Sequence, residues 1–209
     1  MVIERELFIA GQDVPALNRR TTQDICPYTG EVYAVVAAGE PADVVRAVDA
    51  ADRAFADWAA TPPSVRRGIF LKAADILEAR ATEVATLMAG EVGGVRPWAE
   101  FNTQLGASIL REAAAAVTQP LGEVLATEPA DRLSLAVREP VGVVAAFSPW
   151  NAPVILGTRA IAIPLAVGNT VVLKPSEDAP IVCGLLLADV LWSLPTLTCS
   201  IGHRLGNDS

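Results

Sequence analysis

The spacing of apolar residues along the chain changes several times, and each change marks a predicted element. The first 40 residues alternate short β-like pieces with turns: Leu7–Ile9, the turn Pro27-Tyr28-Thr29-Gly30, then Val32–Ala37. Helical spacing takes over at 43–58, where Val44, Val48, Ala51 and Phe55 form one apolar stripe. A second helix is signalled by Thr61-Pro62-Pro63-Ser64 and buries Ile69, Ala73, Ile76 and Leu77. The third takes Thr82 as its cap and stops at Gly93-Gly94. In the fourth, Pro97 occupies the first turn, and Trp98, Phe101, Leu105 and Ile109 line one side.

Beyond Pro120 the period shortens to that of strands. Segments 123–127 and 133–138, joined by Glu128-Pro129-Ala130-Asp131, predict a hairpin that is marginal alone and needs a neighbouring sheet. An apolar strand at 141–147 then runs into Ser148-Pro149-Trp150-Asn151 and an apolar helix. A Gly168-Asn169 turn leads to a second strand, 170–173, which ends in Lys174-Pro175-Ser176-Glu177 and is followed by a helix over 179–192. Strand, helix, strand, helix is the βαβ pattern of a nucleotide-binding α/β domain. From Ser193 the sequence SLPTLTCSIGHRLGNDS has no sustained period, so no third strand is expected. A half-domain of two strands leaves much of its apolar surface uncovered. No internal repeat or low-complexity tract is present.

Composition narrows the class. Hydrophobic residues fill 52% of the 209 positions, ample material for a core. With 24 acidic against 16 basic residues the net charge is −8, which argues against a polyanion-binding surface, so nucleic acid is not an expected partner. Between Pro140 and Leu173 the one charge is Arg159, but Pro149, Pro153, Pro164, Gly142, Gly157 and Gly168 interrupt the apolar run. Buried parallel strands read this way, and a membrane partner is not expected. The opening Met1-Val2-Ile3-Glu4-Arg5-Glu6 places charges where a signal peptide has its apolar core. Cys26, Cys183 and Cys199 show no CxxC or metal spacing, and their odd number gives no disulfide framework. A reducing cytoplasm fits, with no metal site.

The candidate chemistry sits at the two strand ends. No GxGxxG occurs; at the first strand end, where that fingerprint belongs, stands Ser148-Pro149-Trp150-Asn151, which argues against a phosphate clamped on a glycine loop. Glu177 occupies the second strand end, where a carboxylate accepts the ribose hydroxyls of an adenosine, and Lys174 can donate to the same ribose. The alternative is a solvated Lys–Glu pair in a turn. Asn151 by itself reads as a helix N-cap; the other reading is an amide N–H aimed at a developing oxyanion, a neutral donor that adds no titratable group.

The string Pro149-Trp150-Asn151, the helix with Arg159, Pro164-Leu165-Ala166, Gly168-Asn169-Thr170 and Lys174-Pro175-Ser176-Glu177 with Pro180 resembles the NAD(P)-dependent aldehyde dehydrogenase superfamily. Weaker similarity runs from the Pro27-Tyr28-Thr29-Gly30-Glu31 turn to about Trp192. Trp98-Ala99-Glu100-Phe101-Asn102 and Trp150-Asn151-Ala152-Pro153-Val154-Ile155-Leu156 resemble the branch acting on benzaldehyde-, vanillin- or salicylaldehyde-type substrates. The resemblance implies the N-terminal part of an aldehyde dehydrogenase-like α/β fold, an incomplete Rossmann-type nucleotide-binding domain with an oligomerisation β-hairpin. Its parts are 1–119 (N-terminal β and helical region), 120–139 (hairpin), 140–192 (first βαβα of the nucleotide core) and 193–209 (aberrant tail).

The resemblance further implies that Asn151 is the oxyanion-hole amide that polarises the aldehyde. Phe147, Ser148, Pro149, Trp150 and Asn151 line the cofactor cleft, and Lys174, Ser176 and Glu177 hold or flank the adenosine ribose. Glu177 favours NAD, since a carboxylate repels a 2′-phosphate, while Lys174 and Ser176 leave NADP possible. Trp98, Phe101 and Arg159 face the substrate tunnel, the aromatics stacking an aryl aldehyde; ordinary helix core is the alternative for Trp98 and Phe101. Implied partners are a small-molecule aldehyde and, in the full-length family, further copies of the subunit.

Family members are considerably longer, and their glycine-rich loop, general-base glutamate and nucleophilic cysteine lie beyond this chain's end. Cys183 reads as a small core residue beside Val182 and Leu186, Cys26 lies in the N-terminal β region, Cys199 lies in the tail, and His203 has no assigned role. The expectation is therefore a chain cut short by a frameshift or premature stop. Its family activity is NAD(P)-dependent oxidation of an aldehyde to an acid, and the 209 residues alone are inactive. The alternative is a non-catalytic fragment that associates with full-length subunits through the hairpin.

Overall fold

Two apolar strands in parallel set the frame. The structure is a computed structural model describing residues 2–119, 122–129, 131–192 and 199–200. Its elements are β1 (Ile3–Arg5), β2 (Leu7–Ile9), β3 (Gln12–Val14), β4 (Thr21–Ile25), β5 (Val32–Ala37), α1 (Pro41–Ala60), α2 (Pro63–Ala79), α3 (Ala81–Val92) and α4 (Arg96–Ala116). There follow β6 (Gly122–Leu125), β7 (Ser134–Val137), β8 (Val143–Phe147), α5 (Pro153–Ala166), β9 (Thr170–Lys174), a π-helical turn Ile181–Leu185 continuous with α6 (Leu186–Trp192), and β10 (Cys199–Ser200).

β8 and β9 pair from Val143 opposite Thr170 to Phe147 opposite Lys174, with α5 as the crossover a parallel pair requires. Side chains of β9 alternate between two cores. Val172 joins Leu7, Ile9, Ala47, Ala50 and Ala51 on one face, while Val171 and Leu173 join α5 and the helix 181–192 on the other. Both faces of β9 are covered, whereas Val141 and Phe147 at β8 stay exposed, so the expectation of an uncovered half-domain holds on the β8 side and fails at β9. The expectation of no third strand is also overturned. β10 pairs in parallel with β9, Cys199 opposite Val172, and antiparallel with β2, Ser200 opposite Phe8. The sheet order is β3-β2-β10-β9-β8, so the wholly buried strand β2 brings the N-terminal hairpin into the nucleotide-type sheet. A separate sheet, β1-β5-β4, holds the other N-terminal strands. His203 lies outside the described residues.

Two helices are rotated from their expected faces. In α1 the buried residues are Asp43, Ala47, Ala50, Ala51, Ala54 and Trp58, whereas Val44 and Val48 are exposed. Only Ala51 of the expected stripe is buried, because alanine lets the helix lie close to β9. Asp43 fixes the rotation by accepting the N–H groups of Leu17 and Glu40, each at 3.2 Å. In α4 the buried face is Ala99, Asn102, Thr103, Gly106, Ala107 and Leu110, not the side of Trp98, Phe101, Leu105 and Ile109. α4 packs against both α2 and α5, and small residues permit that approach. At Gly106 a methyl group would stand 3.0 Å from Val154 Cγ1 and 3.2 Å from Leu77 Cδ2.

Smaller corrections concern ends. Thr82 lies inside α3 rather than capping it, and the helix stops, as expected, on left-handed Gly93 (φ +65°). β8 begins at Val143 and not Val141, since Val141 and Gly142 turn their N–H groups onto Asn169 Oδ1 (2.7 and 3.2 Å). Asn169 Nδ2 donates in turn to the Pro164 carbonyl (3.1 Å), which fixes the turn between α5 and β9. The β6–β7 hairpin pairs only with itself among the described residues, with Val124 opposite Leu135.

Candidate functional site

The tips of β8 and β9 open side by side. The N–H of Ser148 donates to the Lys174 carbonyl (3.2 Å), carrying the pairing one step beyond the strands. From there the chains diverge and leave a crevice of about 420 Å³ lined by Phe147, Ser148, Pro149, Trp150, Lys174, Ser176, Glu177 and Asp178. Seven of the eight expected cofactor residues meet here; Asp178 is an addition. Phe147 and Trp150 present exposed aromatic surface, and Lys174 Nζ donates to Glu177 Oε2 at 2.8 Å. Ser148 Oγ is buried with no hydrogen-bond partner among the described residues. Acceptor, cation, hydroxyl and aromatic faces in one cleft suit a ribose and its attached ring.

The crevice floor is held from below. The Cys183 thiol donates to the carbonyls of Ser148 (3.6 Å) and Pro149 (3.7 Å). Burial pushes this thiol above its ordinary range, so Cys183 is a packing residue, as the sequence suggests. Cys26 differs: the N–H groups of Thr29 and Tyr28 stabilise its thiolate and lower its pKa, but it lines no part of the crevice.

Asn151 is exposed and outside the crevice lining. The helix-cap reading is overturned, because Ala152 occupies the N-cap of α5. A cap comes instead from α4: buried Asn102 accepts the Ile155 N–H through Oδ1 (3.4 Å) and donates through Nδ2 to the Trp98 carbonyl (3.0 Å). The Asn151 carbonyl accepts the Trp98 indole N–H (3.3 Å), and Trp98 stacks on Phe101 with centroids 5.6 Å apart. Trp98 and Phe101 are 38% and 48% exposed, so the core reading for them is corrected. Asn151, Trp98 and Phe101 thus form one exposed cluster, whereas Arg159 is exposed on α5 and lines neither the crevice nor the neighbouring cavity.

That neighbouring cavity, about 340 Å³, shares Trp150, Glu177 and Asp178 with the crevice and adds Asp24 and Glu91. Both carboxyls are 4% exposed. Glu91 accepts the N–H groups of Ile181 and Val182, each at 2.7 Å, and so caps the helix 181–192. Burial pushes Glu91 up to about 8 against these two bonds. Burial likewise raises Asp24 to about 6, with nearby Asp178 adding to the rise and Glu91 opposing it. A signal for Glu91 existed: with Val84, Leu87 and Met88 it completes the buried face of α3, an acid at a core position. Asp24, in a strand of mostly polar residues, gave none.

The sheet topology and the strand-tip crevice define a nucleotide-binding type of α/β protein. The chain belongs to the aldehyde dehydrogenase family, whose profile matches residues 14–200. It is 50% identical over 174 residues to a vanillin dehydrogenase of Pseudomonas sp. (strain HR199 / DSM 7063), which covers 83% of this chain and 36% of that protein. It is 39% identical over 178 residues to a salicylaldehyde dehydrogenase of Pseudomonas putida, 85% of this chain and 37% of that protein. Among solved structures, a salicylaldehyde dehydrogenase from Pseudomonas putida G7 complexed with salicylaldehyde superposes with a TM-score of 0.94 at 34% identity, covering 97% of this chain and 42% of that one. A NAD-dependent benzaldehyde dehydrogenase from Corynebacterium glutamicum gives 0.92 at 32%, covering 96% and 45%. The chain therefore spans a little over a third of the length of these relatives' sequences, consistent with an N-terminal portion.

Proposed function

We propose that the whole protein oxidises an aromatic aldehyde to the carboxylic acid with NAD, and that this chain supplies the adenosine-ribose crevice. The observation that carries the reading is the Lys174–Glu177 couple at the β9 tip, facing the Phe147-Ser148-Pro149-Trp150 turn across one cleft. Glu177 accepts ribose hydroxyls, and Lys174 donates to them. NAD serves as hydride acceptor when bound. The Glu177 carboxylate, with Asp178 beside it, disfavours a 2′-phosphate and hence NADP. Asn151 offers an uncharged donor to the aldehyde oxygen, and the Trp98–Phe101 stack an aryl surface. Arg159 belongs to the substrate side on family resemblance alone. The names of the vanillin and salicylaldehyde relatives support an aromatic substrate. Free thiols at Cys26 and Cys183 accord with a reducing cytoplasm, and no helix of the described residues is long and apolar enough to cross a membrane.

In this reading aldehyde turnover belongs to the whole protein, and the buried Cys183 thiol, held above its ordinary range, is a packing group and not the nucleophile. Titration of the purified chain with NAD tests the site. A millimolar dissociation constant is expected, weakened about tenfold or more by Glu177→Ala, the cost of one lost charge-assisted contact set. Equal affinity for the variant would remove the ribose assignment.

A second reading rests on the hairpin. Val124 is 72% exposed and Leu133 75%, with Leu125, Leu135 and Val137 also in solvent. Such apolar strands favour association with another subunit. Light scattering is expected to show self-association of the chain that Leu135→Asp reduces; a monomer at all concentrations would end this reading.

A further inference from the structure

Buried carboxyls at one strand end and one helix end meet beneath the crevice. Asp24 lies within hydrogen-bonding reach of Glu91, where a register shift between Asp24 and Ile25 breaks the β4–β5 ladder. The two acids are equally buried, but their surroundings differ. Glu91 receives two short N–H bonds from the start of the helix 181–192, an arrangement that favours its ionised form. Asp24 Oδ2 is buried with no partner among the described residues, an arrangement that favours its protonated form. Two adjacent buried anions are costly, and one proton between them removes the conflict.

We propose that Asp24 and Glu91 share one proton at neutral pH, and that this bridge positions Glu177 and Asp178 against the crevice. Glu91 ties the bridge to the helix 181–192, whose first residues follow directly on the Glu177-Asp178-Ala179-Pro180 turn. The positioning role rests on the ribose reading of the crevice, whereas the shared proton does not. Other titratable groups face the pair from every side. Tyr33 comes from β5, Cys26 from the turn after β4, Glu177 and Asp178 from the loop after β9, and Cys183 from the π-helical turn. Lys174, the neighbouring cation, is engaged by Glu177. Removing the proton adds a negative charge to a site already flanked by Asp178 and Glu177. That repulsion pushes the crevice wall away from β4.

The sign of the pH dependence follows. Both acids are raised above their ordinary values of 3.8 and 4.5. Their contribution to folding is therefore complete below those values and is lost as pH rises through about 6 and about 8. The two steps belong to the pair, not to one residue each.

Carbon-13 NMR titration of the side-chain carboxyls in the full chain tests the bridge directly. Two steps are expected, near 6 and near 8, after the solvent-facing carboxyls have finished titrating. Asp24→Asn is expected to abolish the upper step while keeping Ile181 and Val182 protected from hydrogen exchange, because the asparagine amide donates to Glu91 without titrating. NAD affinity of the unsubstituted chain is expected to fall about fivefold as the upper step completes, and to stay flat in Asp24→Asn. Ionisation of both acids in the ordinary carboxylate range would overturn the proposal without any variant. So would a midpoint that shifts with sodium or potassium at fixed ionic strength, which would put a metal cation in the proton's place. Failure of NAD to bind at any pH would remove the ribose reading and the positioning role, while the carboxyl titration would still judge the shared proton.

Discussion

Arg66→Ala is expected to lower the stability of the chain by about 2–4 kcal/mol, the cost of leaving buried carbonyls without a donor, against the roughly 5–15 kcal/mol that holds a domain folded. Arg66 is a buried cation with no carboxylate partner among the described residues. Its guanidinium donates to the carbonyls of Trp58 (3.4 Å), Ala59 (3.1 Å), Thr61 (2.6 Å) and Ala166 (3.1 Å). These carbonyls close the C-terminal ends of α1 and α5, where the helix dipoles are negative, so one side chain serves two helices on opposite faces of the sheet. Desolvation lowers its pKa without a compensating acid. Truncation leaves carbonyls unsatisfied near the Trp58 indole, which itself donates to the Leu165 carbonyl (3.0 Å). Urea unfolding of the two proteins measures the difference, and a loss under about 1 kcal/mol would contradict the account. Arg66→Lys should recover only part of it, since an ammonium cannot span the same carbonyls.

Gly157→Ala is expected to cost about 2–3 kcal/mol, a large penalty for one methyl group. At this position a Cβ would stand 2.5 Å from the Cys183 carbonyl oxygen and 2.6 Å from Leu187 Cδ1. The first neighbour is backbone and cannot rotate aside. α5 and the helix 181–192 must then separate, and the Cys183 thiol moves away from the carbonyls of Ser148 and Pro149 that it supports. The variant should therefore show both a lower unfolding midpoint and altered emission from Trp150. Wild-type stability in Gly157→Ala would mean that the two helices are not in backbone contact.

How much of this was legible in the sequence depended on whether the cause was local. The β8–α5–β9 unit was readable because apolar runs bounded by Pro140, Gly168 and Lys174 leave few alternatives. The crevice residues followed, since strand tips fix their neighbours. The faces of α1 and α4 were misjudged because valine, tryptophan and phenylalanine outrank alanine in hydrophobicity, whereas close helix approach selects small side chains such as Ala47 and Gly106. The cap that Asn102 gives α5, and the meeting of Asp24 with Glu91, join residues distant in sequence. No local pattern encodes such a meeting. β10 escaped notice for a similar reason: two residues between β9 and β2 carry no period to detect.

The pairing of Ser200 with Phe8 has a kinetic consequence. During synthesis the apolar segment around Phe8 pairs at once with β3 on one side, but must wait for Ser200, far along the chain, before its other sheet partner exists. In that interval Leu7, Phe8 and Ile9 form an unsatisfied, aggregation-prone edge. Slow refolding and a need for chaperone shelter follow from the order in which the strands are made.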